Sequence, residues 1–372
     1  MNNLNFKTLK KYWLRFVGIA VIAGALVLAF AWTAGLFGHR TTSKTFLGDT
    51  LKNFDPGYRR AHGKGICFDG TYHSNGAAAA LSKATVFAKS DIPAIGRFSI
   101  GSGNPHAADN STATVSMALL LSPADHSQWR MKLNNFPYFP TRNAEGFLAQ
   151  QKAFKPVPST GKPDPALVEA FLKEYPEARK SIEQKAKMPL TGSFSGAEFY
   201  VVNAFILRAA NGQEQPVRWS MRPHSKFISL TKEQRDQADH DFLFKDIKKR
   251  LAEGPLYWDL VLQLAEPGDP VNDPSQPWPK DRKEVIAGTL EVKNVTDQVN
   301  GACRDINFDP TLVPPGIELS DDPVLAARAA IYHSLTMLDY VKLDLAKQRM
   351  PWANRRDEQC KINLMLLHVI LI

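Results

Sequence analysis

Between Lys64 and Val295 the chain carries eight segments that read as β-strands, and only a fold with a large sheet absorbs that many. They fall at 64–73, 93–101, 114–122, 129–139, 197–210, 215–222, 256–266 and 286–295. Most are rich in β-branched or aromatic residues, and turn formers such as Asn211-Gly212 separate them. Helical patterns fall at 165–187 and 231–253. Asp321-Asp322-Pro323 is an acidic, proline-started entry to a further helix over about 323–340. The mixture predicts an α+β protein. Eight strands suit a closed antiparallel barrel or a two-sheet sandwich, which share this pattern. Prolines cluster at 155–165 and 267–279, where long loops are expected, and there is no internal repeat.

Ahead of the strands lies a run of 22 residues without a charge, Phe16 to Phe37. At about 1.5 Å per residue, a helix of that length spans a hydrocarbon core of roughly 30 Å. Lys7, Lys10, Lys11 and Arg15 precede the run, and only Arg40 and Lys44 follow it closely. The positive-inside bias therefore expects residues 1–15 in the cytoplasm and 16–37 as a transmembrane anchor. The body would then lie on the exported, periplasmic side of the inner membrane. The alternative is a cleaved signal peptide, because Ala29-Phe30-Ala31 resembles a small-x-small cleavage site. Signal-peptide cores usually run about 7–15 residues, which favours the uncleaved anchor. Both readings export the body.

A formal net charge of +9 invites a nucleic-acid partner, but that charge is terminal. Residues 1–44 hold six Lys/Arg and no acid, and residues 341–372 hold six basic against three acidic residues. Between them 34 basic and 34 acidic residues balance, so the body has no electrostatic footprint for a polyanion. Nucleic acid is excluded as a partner. The three cysteines, Cys67, Cys303 and Cys360, form no C-x-x-C and no C-x-x-C-H. Neither a zinc site nor a covalent c-type haem is signalled. One disulfide is compatible with them, but no spacing selects a pair.

Three segments carry chemistry. The first is Arg59-Arg60-Ala61-His62-Gly63-Lys64-Gly65. The second is Arg97-Phe98-Ser99 followed by Asn134-Asn135-Phe136-Pro137. The third runs from Phe308-Asp309-Pro310 through Pro315-Gly316-Ile317-Glu318-Leu319-Ser320 to Asp322, Leu325, Arg328 and Tyr332. Over about residues 45–335 the chain resembles the haem catalases. The first segment is close to the R-x-x-H-A-K-G that leads into that family's first barrel strand. The last matches the run F-x-P-x-x-x-x-P-G-I-E-x-S-x-D-x-x-L-x-x-R-x-x-x-Y. Within the family it is similar to the short catalase-related peroxidases, which have the haem-bearing core without long C-terminal extensions.

The resemblance implies a catalase-like antiparallel eight-stranded β-barrel with surrounding helices over 41–340, preceded by the transmembrane helix. It implies a bound haem b (iron protoporphyrin IX) and a peroxidase using hydrogen peroxide or small organic hydroperoxides with an external electron donor. It is compatible with a homo-oligomer. The rival readings are a true catalase and a haem-binding or sensing protein without turnover.

The residue types suit that chemistry. An anionic axial ligand favours O–O cleavage at ferric haem, and the resemblance makes Tyr332 a tyrosinate ligand. Free tyrosine titrates near pH 10; Arg328, four residues earlier, shares its helix face and would hold it ionised. His62 is the implied distal base, moving a proton between the peroxide oxygens, and Asn134 the amide that holds the peroxide. Ser99 matches the hydroxyl that fixes the other nitrogen of the histidine. Asn135 reads as a turn residue. Arg59 and Arg97 fall where the family binds the haem propionates. Phe147, 13 residues after Asn134, matches the aromatic that packs on the haem face, and Phe139 is a second pocket residue. Three departures stand out. The family's further propionate arginine would fall near Asp339, where the sign is wrong. The histidine beside the proximal arginine of full catalases aligns with Ser220. No counterpart of their NADPH-binding residues is found. Residues 341–372 resemble nothing in the family, and the apolar stretch Ile362–Ile372 is too short to span a bilayer.

Overall fold

The computed structural model describes residues 6–33 and 58–329. The chain divides into two compact units, Met1–Thr42 and Ser43–Ile372. In the first, α1 (Phe6–Thr33) is one unbroken helix whose side chains from 15 to 30 are all exposed. It takes in residues 16–33 of the uncharged run, about 27 Å of helix; residues 34–37 lie outside the described residues. Among the described residues no helix is long and apolar enough to cross a membrane. The expected transmembrane helix is therefore not part of the described fold.

The described residues of the second unit form twelve strands: β1 (Gly65–Ser74), β2 (Ser90–Ile100), β3 (Val115–Leu121), β4 (Trp129–Asn134), β5 (Leu190–Thr191) and β6 (Phe199–Tyr200), then β7 (Phe205–Arg208), β8 (Glu214–Pro223), β9 (Ser229–Leu230), β10 (Leu256–Leu264), β11 (Glu284–Asp297) and β12 (Ile317–Leu319). The main sheet runs β10-β11-β1-β2-β3-β4-β6-β8 and closes because β8 also pairs with β10. Closure on eight antiparallel strands decides for the barrel over the sandwich, and β7 and β12 extend from β8.

Period-two alternation fixes the two faces of the wall. Phe98 is fully buried inside, with ring centroids 4.7 Å from Phe68, 5.3 Å from Phe194 and 5.5 Å from Trp258. Its neighbours Arg97 and Ser99 must then face outward. Two expected strands are shorter than their sequence pattern. The run 129–139 leaves the sheet after Asn134, because Asn135 bonds the end of β3 with its side chain (Val115 N to Oδ1, and Nδ2 to Ala113 O, both 3.1 Å). The run 197–210 splits into β6 and β7 around the fully buried Asn203.

Around the barrel lie α2 (Ala144–Ala153), α3 (Pro165–Glu174), α4 (Pro176–Ala186), α5 (Lys232–Asp236) and α6 (Phe242–Glu253). The single helix expected over 165–187 is two, because Pro176 has no N–H to donate and forces Tyr175 out of helical geometry (ψ 73°). The helix expected over 231–253 breaks at 237–241, where Asp239 accepts from the Asp241 amide and Lys64 binds Asp241 at 2.6 Å. Helix α2 has no counterpart in the sequence reading; its start is capped by Asn143, which accepts from Gly146 N. The helix expected from 323 begins there and is described to 329. A disulfide joins Cys67 to Cys303 across 236 residues (Cα–Cα 5.3 Å), the pairing that spacing left open.

Candidate active site

Two rows of outward-facing residues cross the barrel wall side by side. Gly65, Ser99, Ser116 and Asn134 are successive partners on β1, β2, β3 and β4. Cys67, Arg97, Ala118 and Lys132 form the next row.

His62 reaches the first row from the segment that enters β1. Its Nδ1 lies 3.2 Å from Ser116 Oγ, which donates to Asn134 Oδ1 at 2.6 Å. A hydroxyl has one proton. With that proton on Asn134, Ser116 accepts from Nδ1–H, which assigns the tautomer and leaves Nε2 with its lone pair. It also turns the Asn134 amide so that only Nδ2–H remains to donate. The hydroxyl beside the histidine is thus that of Ser116; Ser99, expected in that role, is its partner across β2 and β3. The two serines face the same way one strand apart, and sequence alone does not choose between them.

His62 has φ 56°, a left-handed conformation uncommon for a side chain of this size. Its surroundings hold it there. Gly63 N donates to Ser102 O at 2.7 Å, and Gly63 O accepts from Arg97 Nη2 and Gln298 Nε2 at 3.1 and 3.0 Å. Lys64 is clamped between Asp109 and Asp241 at 2.7 and 2.6 Å. Burial drives the His62 pKa well below its usual 6.5, and the positive charges of Lys132, Arg97 and Arg328 add to that against a pull from the Ile100 carbonyl. The imidazole is neutral at physiological pH. Unfolded His62 takes up a proton near pH 6.5 while the folded one does not, so stability falls as pH drops below 6.5. The loss grows as the pH falls further below that value. Urea unfolding at pH 7.5 and 5.5 should show His62→Gln losing less stability than wild type on acidification; equal losses would refute a depressed pKa.

Arg97 is 3% exposed and makes no ion pair among the described residues. Its guanidinium donates only to neutral acceptors, Gly63 O and Gln298 Oε1. Burial and the neighbouring Arg59 both push its pKa well below the usual range. A desolvated cation without a counter-ion is costly, and an anionic group placed beside it removes the cost. Gly65 makes room for it, since a Cβ there would lie 2.3 Å from Arg97 Cζ. Arg59 is tied to the loop opposite: Nη2 donates to the carbonyls of Cys303 (3.0 Å) and Ile306 (2.6 Å), and the guanidinium stands 5.4 Å over the Phe308 ring.

On the other side of the site, Arg328 Nη1 donates to Asn203 Oδ1 at 2.6 Å, and Asn203 Nδ2 donates to Asp322 Oδ2 at 2.7 Å. Asp322 also accepts from Val324 N, capping the helix that carries Arg328. Ser320 Oγ bonds Ala204 O, and β12 pairs with β7, so the P-G-I-E-x-S run docks Arg328 beside Asn203. Sequence reasoning missed Asn203; its signal is one amide in the apolar run Val201-Val202-Asn203-Ala204-Phe205. Ser220 is not joined to Arg328; its hydroxyl donates to Glu198 at 2.6 Å. Phe139 and Phe147 pack together, 4.9 Å between centroids. Tyr332 and Asp339 lie outside the described residues.

Residues 30–357 match the family model described as Catalase. The chain is 31% identical over 326 residues to a catalase-related peroxidase of Synechococcus elongatus, covering 87% of this chain and 96% of that one. A catalase-related peroxidase of Mycolicibacterium paratuberculosis is 30% identical over 286 residues, covering 76% and 89%. Among solved structures, a bacterial catalase superposes with a TM-score of 0.66 at 21% identity, covering 77% of this chain and 57% of that one. A fungal catalase gives 0.67 at 19%, covering 77% and 59%. Barrel, motifs and family match agree, and the chain belongs to the haem catalase superfamily.

Proposed function

We propose that this protein is a haem peroxidase that reduces hydrogen peroxide or small organic hydroperoxides with electrons from an external donor. The observation that carries this reading is the His62–Ser116–Asn134 chain, a neutral base and an amide donor side by side on one face of the wall. The residues present fit a haem b. Among the described residues Arg97 is a buried cation lacking an anion, which suits a propionate; Arg59 stands near it, and Phe147 and Phe139 offer ring faces. When bound, the haem supplies a redox-active iron. Tyr332 would hold its iron, with the Arg328 guanidinium favouring the phenolate. His62 Nε2 takes the proton of the bound peroxide and holds it for the leaving oxygen. Asn134 Nδ2 donates to the peroxide and orients it.

Peroxide-dependent dye oxidation, run beside oxygen evolution, tests this. Dye oxidation should dominate. Oxygen release without it would make the protein a true catalase, and neither would leave a haem-binding or sensing protein. Acid–organic extraction should free the haem from the polypeptide, since no C-x-x-C-H is present.

We place the body outside the cytoplasm. A helix apolar on every side is not stable in water, and α1 exposes Phe16, Ile19, Ile22, Leu26 and Phe30. The sequence continues that uncharged run to Phe37, and a disulfide in the folded body suits an oxidising compartment. Full-length protein should resist alkaline carbonate extraction of membranes, and a chain starting at Thr41 should be released. Quantitative cleavage near Ala31 would favour the signal-peptide alternative.

A further inference from the structure

We infer that the Cys67–Cys303 disulfide is a positioning device for the two arginines that meet the carboxylates of the haem, so that retention of the cofactor depends on it. The inference rests on the haem reading above. Cys67 is the β1 residue directly opposite Arg97 on β2. Cys303 belongs to the strap from Gln298 to Phe308, and that strap holds both guanidinium groups. Gln298 Oε1 accepts from Arg97 Nε and Nη2 at 3.2 and 2.5 Å, while Gln298 Nε2 donates to Gly63 O, one residue from His62. The carbonyls of Cys303, Arg304 and Ile306 accept from Arg59 Nη2, and Phe308 lies beneath that guanidinium.

The strap contains no helix or strand of its own, only turns and irregular backbone. It is fixed instead by a small apolar cluster outside the barrel, in which Cys67, Cys303, Leu120 and Phe308 are buried and Ile306, Ile95 and Ala118 pack against them. Gly301 lies so close that a Cβ there would come within 2.5 Å of Cys67 Sγ. Apart from the continuity of the chain itself, which enters the strap from Asp297 at the end of β11, the disulfide is the only covalent link between this strap and the sheet among the described residues. Such a link is needed because Arg59 and Arg97 repel each other and Arg97 has lost its water. Without it, the two charges gain by moving apart and outward. With it, they stay beside each other, where two carboxylates of one ligand meet them. Both cysteines are buried, which shields the bond from thiols in the folded protein.

The test uses the full-length, haem-loaded protein and its Cys67→Ala/Cys303→Ala form. Haem release is followed by transfer to excess apomyoglobin, once with haem and once with haem dimethyl ester, which lacks the propionate charges. Loss of the disulfide should speed release of haem roughly tenfold or more, the worth of a charge-assisted hydrogen bond, and leave release of the ester unchanged. An equal acceleration of both would mean general loosening and overturn the inference, as would no acceleration. If the double variant does not fold, Gln298→Ala with the disulfide intact should show the same selectivity for haem over its ester. Wild type that binds no haem would overturn the functional reading itself; wild type that holds haem while the variants release it at the same rate overturns only this inference.

Discussion

Reaction of the His62→Ala protein with peroxide is expected to be about 10²–10⁴-fold slower than that of wild type, with haem content unchanged. The expectation follows from the one lone pair that the Ser116–Asn134 chain leaves on His62. Ser116 occupies Nδ1, burial keeps the ring neutral, and Nε2 is left to receive a proton. Without the ring, no neutral base stands beside Asn134 to take the proton. Asn134→Ala removes only a donor, and its expected loss is at most about 10²–10³-fold. Ser116→Ala removes what orients the other two, so its loss should be smaller still, about 10–100-fold, the usual weight of such outer partners. That ranking distinguishes Ser116 from Ser99, because Ser99→Ala should leave the rate near wild type. Stopped-flow mixing with peroxide measures all four. A His62→Ala protein that reacts at the wild-type rate would remove the base from this site, and a Ser99→Ala defect larger than that of Ser116→Ala would reverse the assignment.

The parts of this fold legible in the sequence are those encoded by local pattern. Runs of β-branched and aromatic residues between turn formers marked six of the eight strand segments nearly to their ends, and the Arg97-Phe98-Ser99 triplet encodes a core ring flanked by two outward polar groups. What was not legible depended on partners far away in the chain. The sheet could not be called closed until β8 was seen to pair with β10 as well as β6. Asn135 ends β4 through a side chain that reaches β3, and Pro176 breaks a helix whose apolar pattern runs straight through it. In the candidate site, the motifs pointed to His62, Asn134, Arg97 and Arg328, but the groups connecting them were silent. Ser116 lies in no motif, Asn203 is one amide in an apolar run, and Gln298 is 201 residues from the arginine it binds. The Cys67–Cys303 pair belongs to the same class, because a separation of 236 residues carries no spacing rule.

Arg97→Met should act in opposite directions on the two forms of the protein. Haem-free protein is expected to become more stable, because methionine fills much of the same volume and no desolvated charge is left beside Arg59. Two hydrogen bonds to Gln298 and one to Gly63 are lost with the guanidinium. Both acceptors are neutral: Gly63 O still accepts from Gln298 Nε2 at 3.0 Å, and the freed Oε1 of the half-buried Gln298 is left to water. The haem-loaded protein is expected to behave the other way. A carboxylate that met a buried cation now meets a thioether, and a charge-assisted bond of about 1.5–3 kcal/mol is gone, which weakens retention roughly 10–150-fold. Thermal unfolding of both forms, with haem transfer to apomyoglobin, reads the two effects separately. A variant that loses stability without haem would show that Arg97 belongs to the architecture of the wall. A variant that gains stability and keeps haem as tightly as wild type would show that the anion it awaits is not a propionate. The predicted crossing of the two curves, stabler empty and weaker loaded, is what a site built around a missing negative charge requires, because the energy stored in that unneutralised arginine is released only when the ligand arrives.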